Sequence, residues 1–592
     1  MVLLRNHRSQ HGGFYALLSY SLTAFVAGGA VGAQCTAGAW FTPFNHSGTA
    51  KICGGQTWPT GSVNALHMSL IPKGDRQGWT LIWDHAHYSG PPAGKTRVHR
   101  WALVNPTTGA CENYCMLLPT GKGDLFCAGH AWNAAGNLLV AGGTGCHGGT
   151  TGCTSSFGGS KLTYVWEPPG GSVPAGGTWH RVLPDLDTER WYPSVVALGP
   201  APDNDEDRML VGGGTHLSAD VNSYQVWRPT STAGSWQTGS TGNTFAGPTT
   251  NLHQLGDYPR LHLMSALGNA NMTGRVITAG HKSGTARVDH YGSPGSWPLQ
   301  WSQSAWREYG SSVSLAIGPN GSVKDWVLSV GGKSNGSILA LAELTNGGLA
   351  GVGTWTAVKP LTYSRWFHNT VLLPDGRVFA IGGERGYTGY GCSEIPALVP
   401  ELYDATLNLW LPMAAHSIIR DYHSTALLLP DATVLCGGGE YRGRNPSSNC
   451  RTSSGSPAPG PWDYQRWNPY YLQCGNPRPV ITNGAAAGSA LAWGHGQAHL
   501  VTHQALTFPT TIAKVCLVRP GSVTPHADTN QRCVDLDFVF IPDTLPPTPG
   551  YQPTIQVTIP SKNSGLLPRG YYMLFLMTNL GVPSLATWVK VS

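Results

Sequence analysis

Five side chains of this sequence could together hold a transition metal and carry redox chemistry: Cys127 in DLFCAGHAW, Tyr192 in RWYPS, the adjacent Tyr422 and His423 in RDYHS, and His526 in PGSVTPHADTNQR. Two imidazoles and two phenols make a mixed N/O donor set, which in a tetragonal arrangement suits Cu(II) better than Mg2+, Ca2+ or a thiolate-rich zinc site. Tyr422 and His423 impose a condition, because neighbours on a regular strand face opposite sides. Both can reach one ion only where the strand is irregular. A structural alternative stands beside the metal reading: RWFHN puts Phe367 where RWYPS puts Tyr192, and Phe367-His368 echoes Tyr422-His423. An aromatic, or an aromatic-His pair, can belong to a repeat rather than to a site. Cys127 is one of 13 cysteines, and disulfides consume cysteines in pairs, so one is left over. Cys127 is the candidate. Cys146 with Cys153, across CHGGTTGC, and Cys516 with Cys533 are plausible disulfides by spacing.

The elements that would position these residues repeat along the chain. Each copy reads as an apolar strand, a turn, a second apolar strand and usually Gly-Gly: LFCAGHAWNAAGNLLVAGG, RWYPSVVALGPAPDNDEDRMLVGGG, PRLHLMSALGNANMTGRVITAG, GSSVSLAIGPNGSVKDWVLSVGG, RWFHNTVLLPDGRVFAIGG and DYHSTALLLPDATVLCGGG. A degenerate further copy, NALHMSLIPKGDRQGWTLIWDH, precedes them. A period of about 50 to 70 residues is close to the kelch-type propeller unit. Short strands with aromatic punctuation, such as TYVWEP and YQVWRP, fit the outer strands of four-stranded blades. The expected fold is all-β: a seven-bladed kelch-type β-propeller over 34–470 and a C-terminal immunoglobulin-like β-sandwich over 471–592. First strands of a propeller line its central channel, where residues remote in sequence converge.

Composition agrees with many short strands and tight turns: 78 glycines, 44 prolines and only 11% charged residues in 592. A net charge of +6 without a basic run argues against nucleic-acid binding. Arg5 and Arg8, the apolar stretch from Phe14 to about Gly32, and Val31-Gly32-Ala33 have the layout of a secretory signal over 1–33, with a retained anchor as the alternative. No later stretch is long and apolar enough to span a bilayer. The mature chain is expected to be secreted, extracellular, monomeric and off the membrane, in a compartment that permits disulfides.

Several motifs, in order, make the chain resemble the copper radical oxidases, the family of galactose oxidase and glyoxal oxidase: FCAG with its following Gly-Gly, RWYPS, YHSTALLLPDATV, PGSVTPH with downstream QR, and RGYYMLFLMTNLGVPS. The resemblance runs from about Val63 to the C-terminus. It implies one copper ion and a thioether joining Cys127 to the ring of Tyr192 as a protein-derived radical cofactor. By the same resemblance Tyr192, Tyr422, His423 and His526 are the metal ligands. Tyr422 accepts the substrate proton, and Cys127, Tyr192 and Tyr422 are the catalytic set. The implied reaction is the two-electron oxidation of a small aldehyde or alcohol, with O2 reduced to H2O2 that a peroxidase could consume.

The stretch GGTHLSADVNSYQVW carries His216 where galactose oxidase has a tryptophan over the thioether, which resembles the glyoxal oxidase branch. Propeller strands also begin soon after Trp58, leaving little room for a sugar-binding N-terminal module. His216 is therefore expected beside the cross-link or behind it. Pro525 before His526 departs from the family pattern and constrains that histidine's approach. His85 and His87 in WDHAHY are a weak candidate for a second metal site. Sequons stand at Asn45, Asn271, Asn320 and Asn335. Two other functions fit a propeller: a catalytically silent scaffold that binds carbohydrate or cell wall, and a sialidase-like hydrolase. The second would need clustered arginines and paired carboxylates on inner strands, which are not evident.

Overall fold

A computed structural model describes residues 37–592, apart from 147–157, 200–206, 230–255 except two short strands, 266–274, 289–299, 319–325, 347–352, 387–394, 440–462, 543–551 and shorter stretches elsewhere. The expected signal (1–33), Cys153, Asn271 and Asn320 lie outside the described residues, as do the side chains of Asn45, His87 and Cys146. Asn335 is exposed.

The chain is all-β, and its one α-helix among the described residues is Tyr470–Gln473. Residues 63–468 form a propeller-like arrangement of small antiparallel sheets. Each sheet takes its strands in sequence order, as in Gly129–Trp132, Leu138–Ala141, Thr163–Glu167 and Thr178–Arg181. The final sheet of this series, Ser424–Leu428, Val434–Gly438 and Asp463–Asn468, takes Ala39–Trp40 from the other end of the chain as its outermost strand. First strands neighbour one another around the centre: Gly129–Trp132 touches Ser194–Ala197, which touches Leu261–Leu263. Likewise Ser311–Ser314 touches Asn369–Leu372, then Ser424–Leu428, then His67–Leu70. Their residues are buried on both faces, which explains runs such as VVA and TALL in place of strict alternation.

The repeated sequence signature has a physical cause. Arg190, Arg307, Arg365 and Arg420 each lie two residues before the aromatics Tyr192, Tyr309, Phe367 and Tyr422, and all four guanidinium groups are buried. Each donates from Nη1 to the carbonyl of the last glycine but one in its own repeat: Gly213 at 2.9 Å, Gly331 at 3.2 Å, Gly382 at 3.3 Å and Gly438 at 2.8 Å. The last glycine must stay bare. At Gly214, with φ of +89°, a Cβ would lie 2.6 Å from the Trp191 carbonyl oxygen. Arg307 and Arg365 also pair with the buried carboxylates of Glu343 and Glu401.

The C-terminal strands form one barrel-like path of seven, in the order Leu491–Trp493, Thr587–Val591, Gly570–Thr578, Ile512–Val518, Cys533–Phe540, Thr554–Thr558, Ala498–Thr502. Cys533–Phe540 is shared by the two halves of this path. Its first half pairs with Ile512–Val518 and its second half with Thr554–Thr558. Cys115 is held in a disulfide. The pairing considered for Cys516 with Cys533 is not made, and both remain thiols. The reason is register: Cys516 opposes Asp535, and Cys533 opposes Val518, so the two cysteines are diagonal neighbours rather than partners.

Candidate active site

The loop 519–532, between two strands of the C-terminal unit, is driven into the hub of the propeller-like part. Ser522–Val523 pairs antiparallel with Met68 and Ser69 of a first strand. Thr524 Oγ1 donates to the Ala128 carbonyl at 2.9 Å and Thr529 Oγ1 to the Val195 carbonyl at 2.6 Å. Gln531 Nε2 donates to the Thr370 carbonyl at 2.9 Å, and Arg532 Nη1 to the Leu263 carbonyl at 2.9 Å. Within the loop, the Asp528 carboxylate accepts from the backbone N–H groups of Ser522, Asn530 and Gln531. Burial still raises its pKa to about 6. Loop hydrogen bonds to several different first strands leave His526 little freedom of position.

Around the hub, a residue at the entry to six of the first strands is left-handed: Cys127 (φ 63°), Tyr192 (57°), Tyr258 (43°), Tyr309 (47°), Phe367 (57°) and His423 (64°), with His526 at 51°. Non-glycine residues rarely adopt this region, and the strain of about 1–3 kcal/mol each is tolerated where surrounding bonds impose it. Here they do: the Tyr192 N–H donates to the Cys127 carbonyl at 3.0 Å, that of Tyr258 to Tyr192 at 2.7 Å, and that of Phe367 to Tyr309 at 2.7 Å. The turn at His423 also meets the condition set by the sequence. Regular pairing starts only at Ser424, and the Tyr422 and His423 rings face each other at 3.6 Å and 27°.

The donors converge. Tyr192 Oη lies 2.5 Å from Tyr422 Oη and 2.7 Å from His423 Nε2. His526 lies almost parallel to Tyr422, with ring centres 6.3 Å apart and 21° between planes. It is 1% exposed, and neither of its ring nitrogens has a hydrogen-bond partner. Burial, reinforced by Arg260 and His423, holds its pKa well below that of an ordinary histidine, so it is a neutral imidazole with a lone pair to give. Burial, then the neighbouring Cys127 and Tyr422, pushes the Tyr192 phenol well above its ordinary value. A phenolate there would need a cation beside it. Two phenols and two imidazoles, one of them with both ring nitrogens unpartnered, are a donor set that suits copper, and Tyr192, Tyr422, His423 and His526 are the residues that would hold it.

Cys127 is fully buried in one cluster with Leu66, Phe126, Tyr192, Tyr258 and Ala527. Tyr192 is covered on both faces, by Trp191 at 4.1 Å and 18° and by Tyr258 at 4.4 Å and 25°. Tyr258 Oη is hydrogen-bonded to Thr524 Oγ1, two residues before His526. His216 is half-buried, and its Nδ1 accepts from the Gly159 N–H at 3.2 Å, so the rings over Tyr192 belong to Trp191 and Tyr258 instead. His85 packs against Phe126, edge-on to His423 at 6.4 Å, and so joins the wall of the same site. Trp191, Tyr258, Tyr309 and Phe367 were not singled out as site residues. Phe367 looked like a repeated core aromatic, yet it lies 4.5 Å from Tyr422. The shared Tyr-Pro of WYPS and DYPR was the available signal for Tyr258.

Residues 309–453 match the family model described as glyoxal oxidase N-terminus, and residues 478–591 match that of the galactose oxidase-like early set domain. A galactose oxidase of Gibberella zeae is 27% identical over 534 residues, covering 87% of this chain and 67% of that protein. An aldehyde oxidase of Vitis pseudoreticulata is 25% identical over 425 residues, 69% of this chain and 73% of that protein. An aldehyde oxidase of Arabidopsis thaliana is 28% identical over 234 residues, 38% of this chain and 36% of that protein. Among solved structures, a fungal alcohol oxidase of the AA5 family in complex with copper superposes with a TM-score of 0.64 at 22% identity, covering 94% of this chain and all of that one, a likeness of fold. Both family models are matched in order along the chain, and relatives align across much of its length, so the chain is similar to the galactose oxidases and to the glyoxal and aldehyde oxidases.

Proposed function

We propose that the protein is a secreted mononuclear copper radical oxidase that oxidises small aldehydes or alcohols and reduces O2 to H2O2. The observation that supports this reading is the contact of Tyr192 Oη with both Tyr422 and His423, with the orphaned His526 ring 6.3 Å from that of Tyr422 and Cys127 in the same cluster as Tyr192. Its relatives, named as galactose oxidase and aldehyde oxidases, support it.

Copper, when bound, supplies a one-electron acceptor and a Lewis acid beside the phenols. The remaining chemistry belongs to the chain. A thioether between Cys127 Sγ and the Tyr192 ring forms with loss of the thiol hydrogen and one ring hydrogen, two electrons passing to O2. Sulfur on the ring spreads unpaired spin, and Trp191 and Tyr258 shield both faces from water. Tyr422, half-buried and next to Tyr192, takes the proton of the substrate hydroxyl or aldehyde hydrate as general base. The Tyr192 radical takes a hydrogen atom from the substrate carbon. For an alcohol the sum is RCH2OH + O2 → RCHO + H2O2, and a peroxidase is a fitting consumer of the product. The aromatic wall of Phe126, Phe367 and Trp191 favours small substrates, and with the glyoxal oxidase match at 309–453 it supports that branch over galactose. His216 acts from behind, through Gly159.

In this reading residues 1–33 are a secretory signal, the small sheets of 34–470 are the blades of a seven-bladed propeller, and 471–592 is an immunoglobulin-like unit that contributes His526. The enzyme works as a monomer, off the membrane. Among the described residues no helix is long and apolar enough to cross a bilayer.

Peptide mapping of copper-treated protein tests the reading. The expected result is a linked pair of peptides containing Cys127 and Tyr192, lighter by two hydrogens, together with an intense visible to near-infrared absorption after mild oxidation and peroxide release with small aldehydes. Cys127 recovered as a thiol from copper-replete, oxidised protein that lacks this absorption would refute it and leave a silent scaffold.

A further inference from the structure

A second cluster of donor side chains lies at the root of the loop that carries His526. Cys516, near the end of the strand before the loop, and Cys533, the first residue of the strand after it, point to the same face as Asp535, which opposes Cys516 in the ladder. The two sulfurs and a carboxylate oxygen all lie within 4.8 Å of one another. Both cysteines are fully buried.

Two buried thiols this close in an extracellular protein would ordinarily form a disulfide. Their register opposes it, since diagonal positions on an antiparallel pair stand about 7–8 Å apart at Cα, beyond the roughly 4.4–6.8 Å of a disulfide. A metal ion relaxes the requirement. Two bonds of about 2.3 Å to a tetrahedral ion set sulfurs about 3.8 Å apart, within the spacing found here. Charge also balances: two thiolates and the Asp535 carboxylate carry three negative charges, and Lys514 Nζ, 2.9 Å from Asp535 Oδ1, carries one positive. A divalent ion makes the cluster neutral, which burial favours. The Pro374 carbonyl, 3.3 Å from Cys516 Sγ, adds an oxygen donor from the propeller-like part.

We propose that Cys516, Cys533 and Asp535 form a thiolate site for a zinc-type divalent ion, separate from the centre at Tyr192. Binding replaces two thiol protons, Zn2+ + 2 RSH → Zn(SR)2 + 2 H+, and needs no oxidant. An ion held there ties together the two strands from which the His526 loop departs. Two thiolates, tetrahedral preference and absence of redox activity select zinc over the harder divalent ions.

Cobalt(II) titration of the full-length, copper-loaded protein tests this site. One equivalent is expected to give a near-ultraviolet thiolate-to-cobalt charge-transfer band with tetrahedral visible bands, both erased by added Zn2+. The C516S/C533S double variant should keep its copper and lose the bands. Because that variant alters a buried pair, Asp535→Asn provides a milder test and should weaken cobalt affinity by tenfold or more while both thiols remain titratable after denaturation. Absence of the thiolate band at saturating cobalt, its persistence in the double variant, or a mapped Cys516–Cys533 disulfide would each overturn the proposal.

Discussion

Replacing Arg190 by lysine keeps the charge and should nevertheless damage both the fold and the site. Arg190 is fully buried and spreads its fork over three acceptors: Nη1 donates to the carbonyls of Gly213 and Ser223, both at 2.9 Å, and Nη2 to Ser223 Oγ at 2.7 Å. A lysine ammonium is a point charge on a flexible stem and cannot reproduce that planar fork. If it satisfies one acceptor, two are left buried without a donor, at about 1–3 kcal/mol each, a total of about 2–6 kcal/mol. Burial lowers the pKa of Arg190 to about 10, so the lost interactions are charge-assisted near neutral pH. Tyr192 lies two residues downstream in a left-handed turn, and its distances to Tyr422 and His423 depend on that anchor. Chemical denaturation of the copper-loaded protein, followed by tryptophan fluorescence and by absorption of the copper centre, measures both effects. The control is Arg385→Lys, an exposed arginine over the ring of Tyr363, expected to stay within about 0.5 kcal/mol of the parent. If Arg190→Lys matches the control in stability and absorption, the buried arginines are not what orients the hub residues.

Acid should destabilise the fold even without metal. Burial depresses the pKa values of His99, His130 and His262 to about 3 each. Below about pH 6.5 the unfolded chain protonates these residues while the folded chain does not. Stability is therefore intact above pH 6.5 and falls toward pH 3, by up to about 1.4 kcal/mol per pH unit per histidine; metal-free melting temperatures flat from pH 6.5 to 4 would contradict this. Tyr258→Phe removes the bond to Thr524 and should cost about 1 kcal/mol while lowering copper affinity more than overall stability, read by copper titration beside thermal melts. An unchanged affinity would mean that Thr524 does not steady His526. Gly214→Ala places a methyl against the Trp191 carbonyl in a left-handed turn, so it should cost more than about 1 kcal/mol and broaden the copper spectrum. Parent-like melting would show that this turn can relax.

Strand pairs, Gly-Gly turns and recurring Arg-x-aromatic triplets are local regularities. They make an all-β, propeller-like architecture readable from the sequence of this protein, because a repeat encodes the same hydrogen bonds each time, as Arg190, Arg307, Arg365 and Arg420 show. The donor types were readable too: Tyr192, Tyr422, His423 and His526 are distinct in motif, and the first three are in contact while the His526 ring lies 6.3 Å from that of Tyr422. What the repeat concealed was which of its aromatics face the hub. That depends on left-handed turns at Tyr258, Tyr309 and Phe367, which no periodicity announces. Only the tertiary structure decided that Trp191 and Tyr258, not His216, cover Tyr192, and that a loop of the C-terminal unit brings His526 across more than 200 residues of sequence to the ring of Tyr258, which stacks on Tyr192. Pairing across sheets is a non-local matter of register and loop bonding, so Cys516 and Cys533, well spaced for a disulfide along the chain, stand diagonal in the ladder and stay apart.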